Sequence, residues 1–298
     1  MPKLASIEAV QSALQNQQYF CERSLATVLY LAIYLERPIL LEGDAGVGKT
    51  EVAKVMAKAL GGRLIRLQCY EGLDATTALY EWNYPKQLLQ IKVGESLHEP
   101  LKDVENIFSE NFLIRRPLLE ALQGEMNEAQ TVLLIDEVDR ADEEFEAFLL
   151  EILSDFQVTI PEIGTISAKR RPLVVLTSNR TREIHDALRR RCLFHCIEYP
   201  TFEKEFRIVT AKIPGIEEGF AAQICRFMEA VRERDFYKKP GIAETLDWAN
   251  ALIHLHHDRL DKEIVEETLG CILKHSDDHK KMLDSDMATC LSTACACT

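Results

Sequence analysis

Eight consecutive residues, Gly43-Asp44-Ala45-Gly46-Val47-Gly48-Lys49-Thr50, fill every fixed position of the pattern G-x-x-x-x-G-K-[ST]. Glycines so spaced let backbone N–H groups close on phosphate oxygens, and a helix opening there adds partial positive charge. Lys49 would neutralise the β- and γ-phosphates of a nucleoside triphosphate, and the Thr50 hydroxyl would ligate magnesium. A second group is Thr131-Val132-Leu133-Leu134-Ile135-Asp136-Glu137, an apolar run closed by two carboxylates. Asp136 would hold the magnesium through water, and Glu137 would polarise the water that attacks the γ-phosphate. Asn179, closing Thr177-Ser178-Asn179, is expected beside the γ-phosphate, where an amide helps orient that water. The run Arg189-Arg190-Arg191 is either a solvated basic corner or a guanidinium offered to the phosphate of a neighbouring subunit. The nucleotide-contacting set is thus Gly43 through Thr50 with Glu51 and Asp136, and the magnesium pair is Thr50 and Asp136.

These groups need strand ends to position them. Pro38-Ile39-Leu40-Leu41, an apolar stretch behind a proline, reads as a buried parallel strand. Val52, Val55, Met56 and Ala59 share one face of a following helix, which Gly61-Gly62 stops. Arg63 to Cys69, Leu173 to Leu176 and Leu193 to Ile197 read as further strands, and ligands bind at the carboxyl ends of strands in open α/β sheets. Residues 1–36 read as helical, with Leu25, Val28, Leu29, Ala32 and Ile33 on one face, and a helix is expected over 113–122. The acid-rich stretch 139–151 reads as a helix buried through Phe145, Phe148, Leu149 and Ile152. Its acids form a solvated face and receive no catalytic role. Gln157 to Ile160, Pro161 and Thr165-Ile166 suggest a hairpin closed by Lys169-Arg170-Arg171. Beyond Tyr199-Pro200 strand-like runs cease, and helix-period segments follow at about 202–212, 216–233, 242–257, 261–275 and 279–290.

An apolar fraction of 47% and a charged fraction of 28% over 298 residues describe a globular chain with a sizeable core. A net charge of −13 argues against a protein whose main work is gripping nucleic acid. No apolar run approaches a membrane span and the N-terminus lacks a secretion-signal pattern, so a cytoplasmic location is expected. Nine cysteines without framework spacing then read as reduced, mostly buried residues. Cys192, His195 and Cys196 alternate across a strand, which suits core packing better than a metal. Cys290, Cys295 and Cys297 lie in a small-residue tail that reads as a frayed terminus, with metal binding or redox use as the alternative. Residues 70–111 interleave Tyr80, Trp82 and Tyr84 with Lys86 and Lys92. That pattern fits a base-stacking surface or an inserted element facing a protein partner, and the acidic total favours the insertion.

The loop, Asp136-Glu137, Asn179, the arginine corner and the trailing helices, in that order, resemble an AAA+ ATPase over nearly the whole chain. Leu134-Ile135-Asp136-Glu137-Val138-Asp139-Arg140-Ala141, Gln157-Val158-Thr159-Ile160-Pro161 and Thr177-Ser178-Asn179-Arg180 resemble the MoxR group. Tyr80-Glu81-Trp82-Asn83-Tyr84, Arg189-Arg190-Arg191-Cys192 and Ala243-Glu244-Thr245-Leu246-Asp247-Trp248 are similar to its CoxD-like branch, associated with maturation of molybdenum-containing carbon monoxide dehydrogenase. The resemblance implies an α/β fold: a P-loop three-layer αβα domain with a parallel five-stranded sheet over 1–200, then a small all-helical lid domain over 201–298 with a flexible Cys-containing tail. It implies a helix-2 insertion at 70–111 and a hairpin at 157–172 before the first sensor. Lys49 and Thr50 would be the first nucleotide motif, Asp136 and Glu137 the second, and Asn179 the first sensor. Arg191, with Arg190 as the alternative, would be the finger acting in trans.

Also implied are ATP and Mg as cofactors, a homo-oligomeric ring (commonly a hexamer), a von Willebrand factor A domain partner, and a metalloenzyme client for an ATP-driven chaperone. One departure stands out. The helix matching the second sensor begins Gly241-Ile242-Ala243-Glu244-Thr245, without arginine. Either Lys238 or Lys239 substitutes, or lid closure couples weakly to hydrolysis. Two other readings are a nucleic-acid motor, against which the acidic charge stands, and a non-hydrolysing ATP-binding scaffold, against which Glu137 stands.

Overall fold

A computed structural model describes residues 4–96, 107–124 and 129–295; residues 97–106 of the expected insertion and Cys297 lie outside them. The chain divides into two compact units. One takes the residues up to Ala13 with Arg23–Glu42 and Thr50–His195. The other takes Leu14–Glu22, Gly43–Lys49 and the chain from Cys196 onward.

Two helices, α1 (Ile7–Gln15) and α2 (Arg23–Tyr34), precede β1 (Ile39–Glu42), and α3 (Lys49–Leu60) opens within the glycine motif. Then come β2 (Leu64–Gln68), α4 (Ala75–Leu79), β3 (Tyr80–Trp82), α5 (Tyr84–Ser96), β4 (Leu113–Arg115), α6 (Pro117–Leu122) and β5 (Val132–Asp136). Helix α7 (Glu143–Asp155), the hairpin β6 (Gln157–Ile160) and β7 (Gly164–Ser167), β8 (Leu173–Ser178), α8 (Asp186–Arg191) and β9 (Leu193–Cys196) complete this half. The main sheet has the order β2-β5-β8-β1-β9. The pairs β2/β5, β5/β8 and β8/β1 are parallel. Every residue of β1, β5 and β8 is buried, as continuous apolar runs covered on both faces require. A five-stranded parallel sheet surrounded by helices, with a helical C-terminal region, is the α/β class expected. Among the described residues no helix is long and apolar enough to cross a membrane.

The stretch 113–122 departs from the single helix expected. Leu113–Arg115 is a strand, antiparallel to β3, and the helix begins only at Pro117. Proline fixes φ for a first helical position and drives the residue before it into extended backbone, so Arg116 becomes the boundary at φ −97, ψ 169. Trp82 is buried, edge-on to Tyr80 and Phe108 at 5.9 and 5.3 Å, and Lys86 lies over the Phe112 ring. The base-stacking reading of this region therefore loses its largest ring. Helix α5 instead leaves Tyr84, Leu88, Leu89 and Val93 exposed. The hairpin is anchored through Val158 and Ile160, which join the core of this unit.

In the C-terminal unit α9 (Phe202–Lys212), α10 (Glu218–Arg232), α11 (Ile242–His254) and α12 (Lys262–Ile272) are followed by α13 (Ser276–Lys281), a π-helical turn over Met282–Asp286, and α14 (Met287–Cys295). Trp248, Phe227, Met228 and Leu269 form its core, where the Trp248 indole donates to Thr268 Oγ1 at 2.8 Å. The frayed tail expected from residue 290 is corrected as far as residue 295. Helix α14 continues that far and buries Cys290 and Ala294 in this core, because small side chains let it pack closely on α10.

Burial also raises the thiols of Cys69 and Cys192 to about 12, and that of Cys225 higher still. At pH 8 such thiols hold roughly a thousandfold less thiolate than an ordinary cysteine. Aromatic disulfide reagents should therefore modify these three only after denaturant is added, as peptide mass mapping would show. Rapid labelling of Cys225 in the native protein would contradict its burial. Among the described residues, no three or more His, Cys, Asp or Glu side chains group as a metal cluster would need.

Candidate functional site

Parallel pairing brings the carboxyl ends of β2, β5, β8 and β1 into line: Gln68 is in register with Asp136, and Glu42 with Ser178. Polar side chains collect at those ends. The buried Asp136 carboxylate accepts Thr177 Oγ1 at 2.6 Å and Thr50 Oγ1 at 3.0 Å on Oδ1. Its Oδ2 accepts both Nε (3.0 Å) and a terminal nitrogen (2.6 Å) of Arg66. Arg66 and Gln68 share one face of β2, since side chains alternate along a strand, and Gln68 Nε2 reaches Glu137 Oε2 at 3.1 Å.

Glu137 sits in left-handed backbone, φ 56 and ψ 50. That conformation costs a residue with a Cβ about 1–2 kcal/mol and persists only where surroundings enforce it. Here its N–H donates to Thr177 Oγ1 at 2.9 Å, its Oε1 accepts Asn179 Nδ2 at 3.1 Å, and Arg140 Nε lies 3.2 Å from Oε2. Asn179, Gln68 and Arg140 thus hold the Glu137 carboxylate while leaving it partly open to solvent.

Asn179 is in turn held by Asp139. The buried Asp139 carboxylate accepts the N–H of Asn179 at 3.2 Å, the N–H of Thr181 at 2.9 Å and the Thr181 hydroxyl at 2.7 Å. Burial works to raise this carboxyl, but those donors outweigh it and hold it below the ordinary carboxylate range. Nor is the acid face of α7 wholly solvated. Glu146 is fully buried, pairs with Arg182, and accepts the His185 N–H at 2.8 Å, which ties α7 to the start of α8.

The three arginines separate in role. Arg189 donates to the buried Glu42 Oε1 at 2.8 Å, with Arg180 Nε 3.7 Å from the other oxygen. Arg191 Nε donates to Ser154 Oγ at 2.7 Å. Arg190 is 81% exposed and meets Asp186, at 3.3 Å, in a solvated pair of little energetic weight. Arg37 fixes the end of α8 by donating to the carbonyls of Arg190 and Arg191.

The glycine loop, Gly43–Lys49, belongs to the C-terminal unit. Gly46 and Gly48 have φ of 81° and 96°, conformations that glycine reaches without strain. Lys49 is buried, and its ammonium donates to the carbonyls of Gly43 (2.7 Å) and Asp44 (2.6 Å). The Asp44 side chain shares a hydrogen bond with Tyr199, whose hydroxyl burial and then the Asp44 charge push up to about 12. Thr50 directly follows Lys49 in α3, so the first turn of that helix offers backbone N–H groups beside both side chains. The Thr50 hydroxyl and the Asp136 carboxylate, side by side, are hard oxygen donors of the kind magnesium takes. These residues fit that ion: Thr50 would hold it directly and Asp136 through water.

Arg66, Asp139, Glu146 and Glu42 escaped the sequence reading. The alternation of Arg66 with Gln68 on a strand was the one available signal. The strand neighbours that give it meaning were not.

The family model described as ATPase family associated with various cellular activities (AAA) matches residues 39–200. The chaperone protein ClpB of Chlamydia muridarum (strain MoPn / Nigg) is 24% identical over 203 residues, 66% of this chain and 20% of ClpB. This chain therefore spans about a fifth of the length of the ClpB relatives it matches. Protein CbbQ of Allochromatium vinosum is 34% identical over 74 residues, 24% of this chain and 100% of that sequence. Among solved structures, the RuvB Holliday junction branch migration motor of Thermotoga maritima is 19% identical with a TM-score of 0.45, covering 94% of this chain and 78% of RuvB.

Proposed function

Because the chain belongs to the ATPase family associated with various cellular activities, we propose that it hydrolyses ATP with magnesium and uses the turnover to remodel a protein client. The observation that carries hydrolysis is Glu137, kept in left-handed backbone with its carboxylate between Asn179 and Gln68 and its neighbour Asp136 against Thr50. On this reading Lys49 and the amides of the glycine loop bind the phosphates. Glu137 accepts a proton from the attacking water, and Asn179 orients that water and the carboxylate together. Magnesium, when bound, supplies charge neutralisation on the β- and γ-phosphate oxygens. Glu137 is the feature that a scaffold binding ATP without turnover would not need.

The finer reading is a MoxR-type, CoxD-like maturation factor working as a ring, commonly a hexamer, in the cytoplasm. Its partner would be a von Willebrand factor A domain protein and its client a molybdenum-containing carbon monoxide dehydrogenase-like metalloenzyme. It rests on the motif resemblance. The exposed apolar row Tyr84, Leu88, Leu89 and Val93 on α5 adds a surface of the kind protein partners cover. The exposure of Arg190 favours it over Arg191 as the guanidinium lent to a neighbouring subunit.

Steady-state ATP turnover against protein concentration tests this. Turnover per subunit should rise with concentration and fall by about 10³-fold in Arg190→Ala/Arg191→Ala, the scale of a lost trans-acting arginine. Concentration-independent turnover, unchanged in that variant, would remove the shared site.

A further inference from the structure

Within the C-terminal unit, the glycine loop touches the start of α11 through bare backbone. A Cβ on Gly241 would lie 2.6 Å from the Gly46 carbonyl carbon, and one on Gly46 would lie 3.2 Å from the Gly241 Cα. The N–H of Ala243 points to the Gly46 carbonyl at 3.3 Å. This helix start, Gly241 to Thr245, carries no basic side chain. The acid Glu244 stands there, caps the Gly241 N–H at 2.9 Å, and has an oxygen 2.7 Å from where a Gly46 Cβ would be.

What places Gly241 is a buried polar bracket. The Arg232 fork grips both oxygens of Glu205 at 2.6 Å, and its Nε donates to the Pro240 carbonyl at 2.8 Å. Thr245 closes the circuit: its hydroxyl lies 2.6 Å from Glu205 Oε1, 3.0 Å from Arg232 and 3.1 Å from the Gly241 carbonyl. Arg232 also lies over the Tyr199 ring, and the Tyr199 hydroxyl reaches both the Lys239 carbonyl at 3.3 Å and Asp44 of the loop. A planar fork with all three nitrogens donating holds a peptide far more tightly than a solvated pair.

We infer that Arg232, Glu205 and Thr245 are positioning residues for the phosphate loop, acting through the Pro240-Gly241 peptide against Gly46. The inference rests on the ATPase reading above and says how the helical region acts on the nucleotide without a basic side chain at the start of α11. The loop is shaped by contact rather than by charge.

Gly241→Ala isolates that contact. Its φ of −89° and ψ of −172° suit any residue, and the three atoms nearest the added methyl all belong to Gly46 of the loop. Arg232→Ala would empty a buried ion pair and risks unfolding the unit, so Gly241→Ala carries the test. The readout is affinity for a fluorescent ADP analogue, with circular dichroism and the thermal midpoint of the nucleotide-free protein recorded alongside. Asp261→Ala is the comparison, since it removes the cap of α12, where Asp261 accepts the Ile264 N–H, but touches nothing in the loop. Gly241→Ala should weaken binding about tenfold or more, with its spectrum unchanged, while Asp261→Ala binds as the wild type does. Equal affinity in Gly241→Ala and wild type would overturn the inference. So would equal weakening in both variants, which would mean general softening of the helices. A wild-type protein that binds no nucleotide would instead remove the ATPase reading, and this inference with it.

Discussion

Glu137→Gln should lower ATP turnover by about 10²–10⁴-fold while nucleotide remains bound. The exchange keeps shape and size, so the left-handed turn at 137 and the hydrogen bond from Asn179 to Oε1 can persist. What disappears is the carboxylate that would take a proton from water. The new amide nitrogen also faces Gln68 Nε2 and Arg140, two donors that lose Oε2 as an acceptor. On the proposed reading the nucleotide is held by the glycine loop rather than by Glu137, so affinity should hold within a fewfold. Phosphate release and fluorescent-nucleotide titration on one preparation separate the two quantities. Undiminished turnover would take the role of base away from Glu137. Loss of binding together with turnover would make the residue structural.

Asp139→Asn should cost about 2 kcal/mol of stability and about 10–100-fold in turnover, although Asp139 need not touch substrate. Its carboxylate receives three donors, two backbone N–H groups and a hydroxyl. An amide in its place turns one acceptor into a donor that faces donors. The segment Asn179–Thr181 then shifts, and with it the side chain that orients Glu137. The sign of the pH dependence follows from the depressed carboxyl. Its stabilising contribution is complete above the unfolded-state value and is lost as pH falls through the lower folded value. Urea midpoints of wild type and Asp139→Asn should therefore differ most near neutrality and converge in acid. A pH-independent difference would show that shape rather than charge matters at this position.

The sequence made plain whatever is local. Thr131 to Glu137 reads as a buried strand ending in acids because consecutive apolar residues need two covered faces, and the helix spacing after Lys49 carries its own period. The fold class follows from such segments. Long-range pairing stayed hidden. Asp139 lies some forty residues from Asn179 and Thr181, and in the linear chain it looks like one more acid before a helix. Arg66 looks like the exposed half of an alternating strand until β2 is known to lie beside β5. The error over 113–122 is of another kind. Leu113 to Leu122 is apolar enough for either structure, and the turn was decided by Pro117 and by a strand partner thirty residues earlier.

The division of the chain into units has a thermodynamic consequence. Gly43–Lys49 packs as part of the C-terminal helical unit. If that packing shapes the loop, holding phosphate and folding those helices are linked equilibria. Reciprocity then requires that whatever tightens one tightens the other by the same factor. A nucleotide would act as a folding ligand for helices remote in sequence from its own binding motif. A protein that docked on those helices and loosened them would release nucleotide without approaching a phosphate.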